Sequence, residues 1–131
     1  MIKKLLCVDD DKTTLTLIKL IVNKVSFAEE IITKQNGKEA LEYYHELSES
    51  AVTDDYPDLV FLDLNMPIMN GWDFLDEFVA QFYKKFAGTK IIILSSSTDP
   101  EEKERAKKYP FIIDYVSKPL TVSALKNLLI V

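Results

Sequence analysis

A chain of 131 residues suits one folding unit, and 47% hydrophobic with 28% charged residues excludes a disordered or fibrous polymer. Sixteen basic and 21 acidic residues leave a net charge of −5, which excludes a general attraction to nucleic acid or to an anionic membrane surface. Cys7 is the single cysteine, so an intramolecular disulfide or a cysteine metal cluster is excluded as well.

The chain opens on "MIKKLLCVDDD", where Lys4 to Val8 read as a strand. The apolar run, Leu5 to Val8, is too short for a signal-peptide core, and no run reaches the ~18 apolar residues of a membrane span. A reducing, cytoplasmic location without membrane insertion is expected, with Cys7 a buried structural thiol. Leu15, Ile18, Val22 and Val25 then recur at helical spacing, in a helix that begins near Thr13. Glu30 to Lys34 is a second, weaker strand. "NGKEALEYY" starts the next helix, with Asn36 as cap and Glu39 three residues on. Ser48 to Asp55 reads as a polar connection.

Asp58 to Leu62 is a third strand, short and continuously apolar, as expected of a strand covered on both faces. Trp72, Leu75, Val79, Phe82 and Phe86 mark one face of a third helix, and the aromatic series Trp72, Phe78, Phe82 and Phe86 reads as core. Lys90 to Leu94 is the fourth strand. "DPEEKERAKK" follows, with Asp99 as cap, Pro100 as first helical residue and Glu102 closing a capping box. Phe111 to Val116 is the fifth strand, and "TVSALKNLL" supplies the fifth helix. The alternation is (βα)5. Right-handed crossovers then place helices on both faces of a parallel sheet, which binds ligands beyond the carboxyl ends of its strands.

The polar residues that follow the strands are Asp9, Asp10 and Asp11, then Asp63, then Ser95 to Ser97, then Lys118. Singly, each has an ordinary use: aspartates cap helices, serines populate loops and lysines are solvated. Together they converge on one edge of the sheet. Clustered carboxylates repel unless a cation compensates, and Mg²⁺ favours oxygen ligands in company with phosphate. Asp63 then reads as a nucleophile that can form an aspartyl phosphate. Phosphoryl transfer asks for positioning and charge stabilisation, which Lys118 and Ser95 can supply.

"VDDD" after the first strand, "DLNMPIMNG" after the third, "LSSS" after the fourth and "DYVSKPL" at the fifth resemble the receiver domain of two-component response regulators. The resemblance covers residues 1–131 as one receiver domain. It implies an α/β, (βα)5 doubly wound parallel five-stranded sheet of flavodoxin-like order 2-1-3-4-5. It implies that Asp63 is the phosphoacceptor, and that Asp9, Asp10, Asp63 and the main-chain carbonyl of Asn65 hold Mg²⁺ or Mn²⁺. Ser95 corresponds to the switch hydroxyl, Tyr115 to the switch aromatic, and Lys118 to the lysine on the phosphoryl group. The Lys118–Pro119 bond matches one that is cis in the family. Asp11 stays outside the metal site and caps the first helix.

The implied function is a signalling switch rather than an enzyme, with slow self-catalysed gain and loss of a phosphoryl group. Its partners are a histidine kinase or histidine phosphotransfer protein and a downstream protein target, with no direct nucleic-acid contact. Phosphorylation-driven homodimerisation stays an open alternative. The fourth helix has only Ala106 and Tyr109 as apolar anchors, so weak attachment is expected there, with Ser95 and Tyr115 coupling it to the site. His45, among Glu42, Glu46 and Glu49, reads as a solvated surface residue. A haloacid-dehalogenase-like phosphohydrolase with Asp63 as nucleophile is the alternative, disfavoured because Asn65 stands where a general acid is needed. A flavodoxin-like ligand binder is a third, without a Gly-rich phosphate loop to support it.

Overall fold

The computed structural model describes residues 2–50, 55–97 and 99–128. Strands and helices alternate: β1 Ile2–Val8, α1 Lys12–Lys24, β2 Ala28–Lys34, α2 Gly37–Glu49, β3 Leu59–Leu62, α3 Gly71–Gln81, β4 Lys90–Ser95, α4 Pro100–Ala106, β5 Ile112–Ser117 and α5 Val122–Lys126. The five strands are parallel and lie in the order β2-β1-β3-β4-β5, as the resemblance implied.

Side-chain alternation divides the core in two. Leu6, Val8, Val60, Leu62, Ile91 and Ile93 point to the face covered by α2 and α3, where Tyr44, Phe74, Leu75 and Phe78 are fully buried. Leu5, Cys7, Leu59, Phe61, Ile92 and Leu94 point to the other face, against Leu15, Ile18 and Val22 of α1 and Leu125 of α5. The thiol of Cys7 is pushed up to about 12 by burial, which suits a structural role.

The caps follow the sequence. Asp11, Asn36 and Asn70 accept the backbone N–H of Thr13, Glu39 and Asp73 and so satisfy donors that open α1, α2 and α3. Gly71 starts α3 where the chain passes closest to β3. A Cβ there would lie 2.6 Å from the carbonyl oxygen of Asp63 and 2.8 Å from Cα of Leu64, so only glycine lets α3 start this near the end of β3.

Four expectations are corrected. Ser48 and Glu49 belong to α2 rather than to a connection, and residues 51–54 of that segment lie outside the described residues. Helix α3 ends at Gln81, with Phe82 as its C-cap, so the single face from Trp72 to Phe86 does not exist. Val79 is 42% exposed, whereas Phe82 and Phe86 reach the core because the turn after α3 folds their rings against Tyr44, at 6.1 and 5.4 Å. Helix α5 spans only five residues, and residues 129–131 of the apolar ending lie outside the described residues.

The fourth concerns α4. Its hold does not rest on Ala106 and Tyr109 alone: the Tyr109 hydroxyl donates to Asp76 of α3 at 2.9 Å, and Arg105 lies over Trp72 of α3. A carboxylate of α3 and a guanidinium of α4 thus add to the apolar anchors of the helix.

Strand β5 is irregular. Ile91 pairs with Ile112, but Ile92 pairs with Asp114 and Ile93 with Tyr115, so Ile113 is an extra residue and is 40% exposed. A one-residue register shift exchanges the two faces of a strand. With unbroken pairing Asp114 would stand beside Ile93, and Tyr115 beside Leu94 on the α1–α5 face. The bulge is what puts Tyr115 on the side of α4.

Candidate functional site

Strand register brings the polar residues together. Val8 pairs with Leu62, so Asp9 and Asp63 leave adjacent strands side by side, and the N–H of Asp63 donates to the carbonyl of Val8. Ser95 pairs with Ser117, so Lys118 is the next residue along, its N–H donating to the carbonyl of Ser95. Asp9, Asp63 and Ser95 are buried at 2%, 5% and 0% exposure, while Asp10 faces solvent.

One carboxylate oxygen from each of Asp9, Asp10 and Asp63 lies within 4.8 Å of the others. The ammonium of Lys118 is 2.6 Å from Asp9 Oδ2 and 3.4 Å from Asp63 Oδ1. Asp9 also accepts the N–H of Asp11, and Asp63 that of Asn65. Asp11 turns away to Thr13 and Thr14, whose bonds hold its carboxyl below the usual range. It caps α1 and takes no part in the trio. The Lys118–Pro119 bond is cis.

Burial pushes the Asp63 carboxyl up to about 6, with Lys118 pulling it down and Asp9 pushing it further up. Burial acts against the Lys118 ammonium, but its bond to Asp9 and the charges of Asp63 and Asp9 outweigh that and raise it. Three carboxylates against one ammonium leave a local charge near −2. Oxygen-only donors with that surplus fit a hard divalent cation and would suit neither a soft metal nor an anion.

The loop after Asp63 carries a constraint that the sequence did not disclose. The N–H of Met69 donates to the carbonyl of Pro67 at 2.9 Å, which closes a three-residue turn on Ile68. Ile68 has φ 72°, an unfavourable angle for a β-branched residue, and is 80% exposed. His45 is exposed and paired with Glu49, away from the site, as expected.

Glu102 was misread. It does not close a capping box: Asp99 accepts the N–H of Glu101, and the Glu102 carboxylate points toward the sheet. There one oxygen, Oε1, accepts both the Ser95 hydroxyl at 2.6 Å and the Tyr115 hydroxyl at 2.5 Å. The signal was present in the spacing. Glu102, Ala106 and Tyr109 fall at i, i+4 and i+7, so Glu102 shares the inward face of α4 with the two apolar anchors.

A doubly wound sheet with acidic residues, a hydroxyl and a lysine at its carboxyl edge is the arrangement of a signalling receiver. The chain belongs to the response regulator receiver domain family, whose profile it matches over residues 5–130. It is 38% identical over 93 residues to the chemotaxis protein CheY of Listeria monocytogenes, covering 71% of this chain and 67% of that protein. It is 27% identical over 125 residues to the two-component response regulator ARR10 of Arabidopsis thaliana, covering 95% of this chain but only 20% of the relative. The fold superposes on a two-component response regulator from Cytophaga hutchinsonii with TM-score 0.85 and 33% identity, over 96% of this chain and 92% of that one. This membership leaves the haloacid-dehalogenase reading without support. Among the described residues no helix is long and apolar enough to cross a membrane.

Proposed function

We propose that the protein is a phosphoacceptor switch in which Asp63 takes a phosphoryl group from a phosphohistidine of a kinase or phosphotransfer protein. The observation that carries this reading is the meeting of Asp9, Asp10 and Asp63 within 4.8 Å, with Lys118 on the two buried carboxylates. A carboxylate oxygen of Asp63 attacks phosphorus, the P–N bond of the donor breaks, and the leaving imidazole keeps the electron pair and takes a proton. Asp63 must be ionised to attack, and a pKa near 6 leaves it so at neutral pH.

Asp9, Asp10, Asp63 and the main-chain carbonyl of Asn65 would hold Mg²⁺ or Mn²⁺. The ion supplies positive charge at the phosphoryl oxygens. Lys118 supplies a second cation, and Ser95 a hydroxyl for one phosphoryl oxygen. Tyr115 and α4 then carry the change to the face formed by α4, β5 and α5, where a protein target binds. The role is that of a cytoplasmic signalling receiver, with only slow self-catalysed phosphorylation and hydrolysis and no substrate turnover.

The test is intact mass after incubation with phosphoramidate, with and without Mg²⁺, on wild type and Asp63→Asn. A Mg²⁺-dependent gain of one phosphoryl group, absent from the variant, is the expected result. A folded wild type that gains nothing under any condition overturns the reading.

A further inference from the structure

We infer that Glu102 is a positioning residue that holds the switch in its unphosphorylated form by occupying the hydroxyl protons of both Ser95 and Tyr115. The inference rests on the phosphoacceptor reading of Asp63 and adds a residue to it.

A proton count gives the reason. Ser95 Oγ accepts the N–H of Ser97 at 3.1 Å and donates its single proton to Glu102 Oε1 at 2.6 Å. A phosphoryl oxygen on Asp63 offers only acceptors, so it competes with Glu102 for that proton. Tyr115 donates its single proton to the same oxygen, and the ammonium of Lys103 sits 5.6 Å from the centre of its ring. Hydrogen bonds to a carboxylate are the strong ones, and Ser95 is fully buried, which adds to their strength. The bridge therefore ties three elements, β4, α4 and β5, through one atom.

Two consequences follow. Phosphoryl capture of Ser95 removes one of the two donors on Glu102 and weakens the tie of the first turn of α4 to the sheet. Conversely, while Glu102 holds the Ser95 hydroxyl, the site lacks one donor for the incoming phosphoryl group. Glu102 thus sets the population of the form that accepts phosphate, and its removal favours uptake.

The test compares Glu102→Ala, Glu102→Gln and the exposed control Glu101→Ala with wild type. Uptake of phosphoryl from phosphoramidate with Mg²⁺ is followed by intact mass, and hydrogen exchange across residues 95–117 is measured before and after. Glu102→Ala is expected to take up phosphoryl about fivefold faster or more, with unphosphorylated exchange already at the level of the phosphorylated wild type. Glu102→Gln keeps a neutral acceptor and should fall between wild type and Ala, while Glu101→Ala should match wild type. A merely structural role would raise exchange and lower the unfolding temperature without speeding uptake. Unchanged or slower uptake in Glu102→Ala, or in Glu102→Gln should the alanine variant not fold, overturns the assignment. Absence of an adduct in wild type itself overturns the phosphoacceptor reading instead.

Discussion

The guanidinium of Arg105 lies 4.3 Å from the centre of the Trp72 indole, and the Tyr109 ring stacks on the same indole at 6.1 Å. Both contacts come from α4 or its C-terminal turn, so the one tryptophan reports on the position of that segment rather than on the acidic site alone. Arg105→Ala is expected to change Trp72 emission and to lower stability by about 0.5–1 kcal/mol, the usual range for an exposed cation–π contact. Urea unfolding followed by fluorescence checks both. Arg105→Lys should recover less than the full loss, because an ammonium lacks the planar stack. Emission unchanged in Arg105→Ala would mean that Arg105 does not rest on the ring in solution.

Asp63 makes stability depend on pH in a direction opposite to that of most carboxylates. Its folded pKa, about 6, stands above its ordinary 3.8, so the folded state binds the proton more tightly. The group therefore favours folding below pH 3.8, and this contribution is lost as pH rises to about 6. Asp63→Asn removes the charge and should stabilise the metal-free protein by about 1–2 kcal/mol at pH 7, with little effect at pH 4. Addition of Mg²⁺ should raise the stability of wild type more than that of the variant. Urea unfolding at both pH values, with and without Mg²⁺, decides this; a gain of equal size at pH 4 would assign it to something other than charge.

Ile68 is held at φ 72° with its side chain in solvent, so neither packing nor hydrogen bonding of that side chain offsets the backbone cost. Ile68→Gly and Ile68→Asn should each stabilise the protein by roughly 1 kcal/mol, with glycine losing part of its gain to unfolded-state entropy. Thermal unfolding of the two variants is the check. A loss of stability in both would show that the turn is not formed as described.

Much of this was legible in the sequence because it follows from local rules. Short apolar runs gave the strands, and Asp11, Asn36 and Asp99 announced the starts of their helices by cap chemistry. The acidic trio and Lys118 were legible because a parallel sheet delivers everything after its strands to one edge. What escaped was set by contacts between elements. Glu102 matched the pattern of a capping box, and only the closeness of β4 and β5 gave its carboxylate better partners. Val79 fitted a helical stripe, but α3 turns Phe74, Leu75 and Phe78 to the core and leaves Val79 at its margin. The contact of Arg105 with Trp72 depends on how α4 sits beside α3, which no local pattern records. The left-handed angle at Ile68 had no sequence mark, since the chain used isoleucine where asparagine or glycine would have signalled it.

The extra residue in β5 separates the strand into two halves with independent reading frames. Ile112 and Tyr115 are three residues apart, an odd number, yet both face the α2–α3 side. Deleting Ile113 would therefore restore plain pairing without turning either over: Ile112 would keep its place beside Ile91, and Tyr115 its place beside Ile93. The slack that a loop usually supplies sits here within a strand, at the outer edge of the sheet where pairing is one-sided. The half that holds Ile112 and the half that holds Tyr115 can each be re-spaced by one residue without dislocating the other.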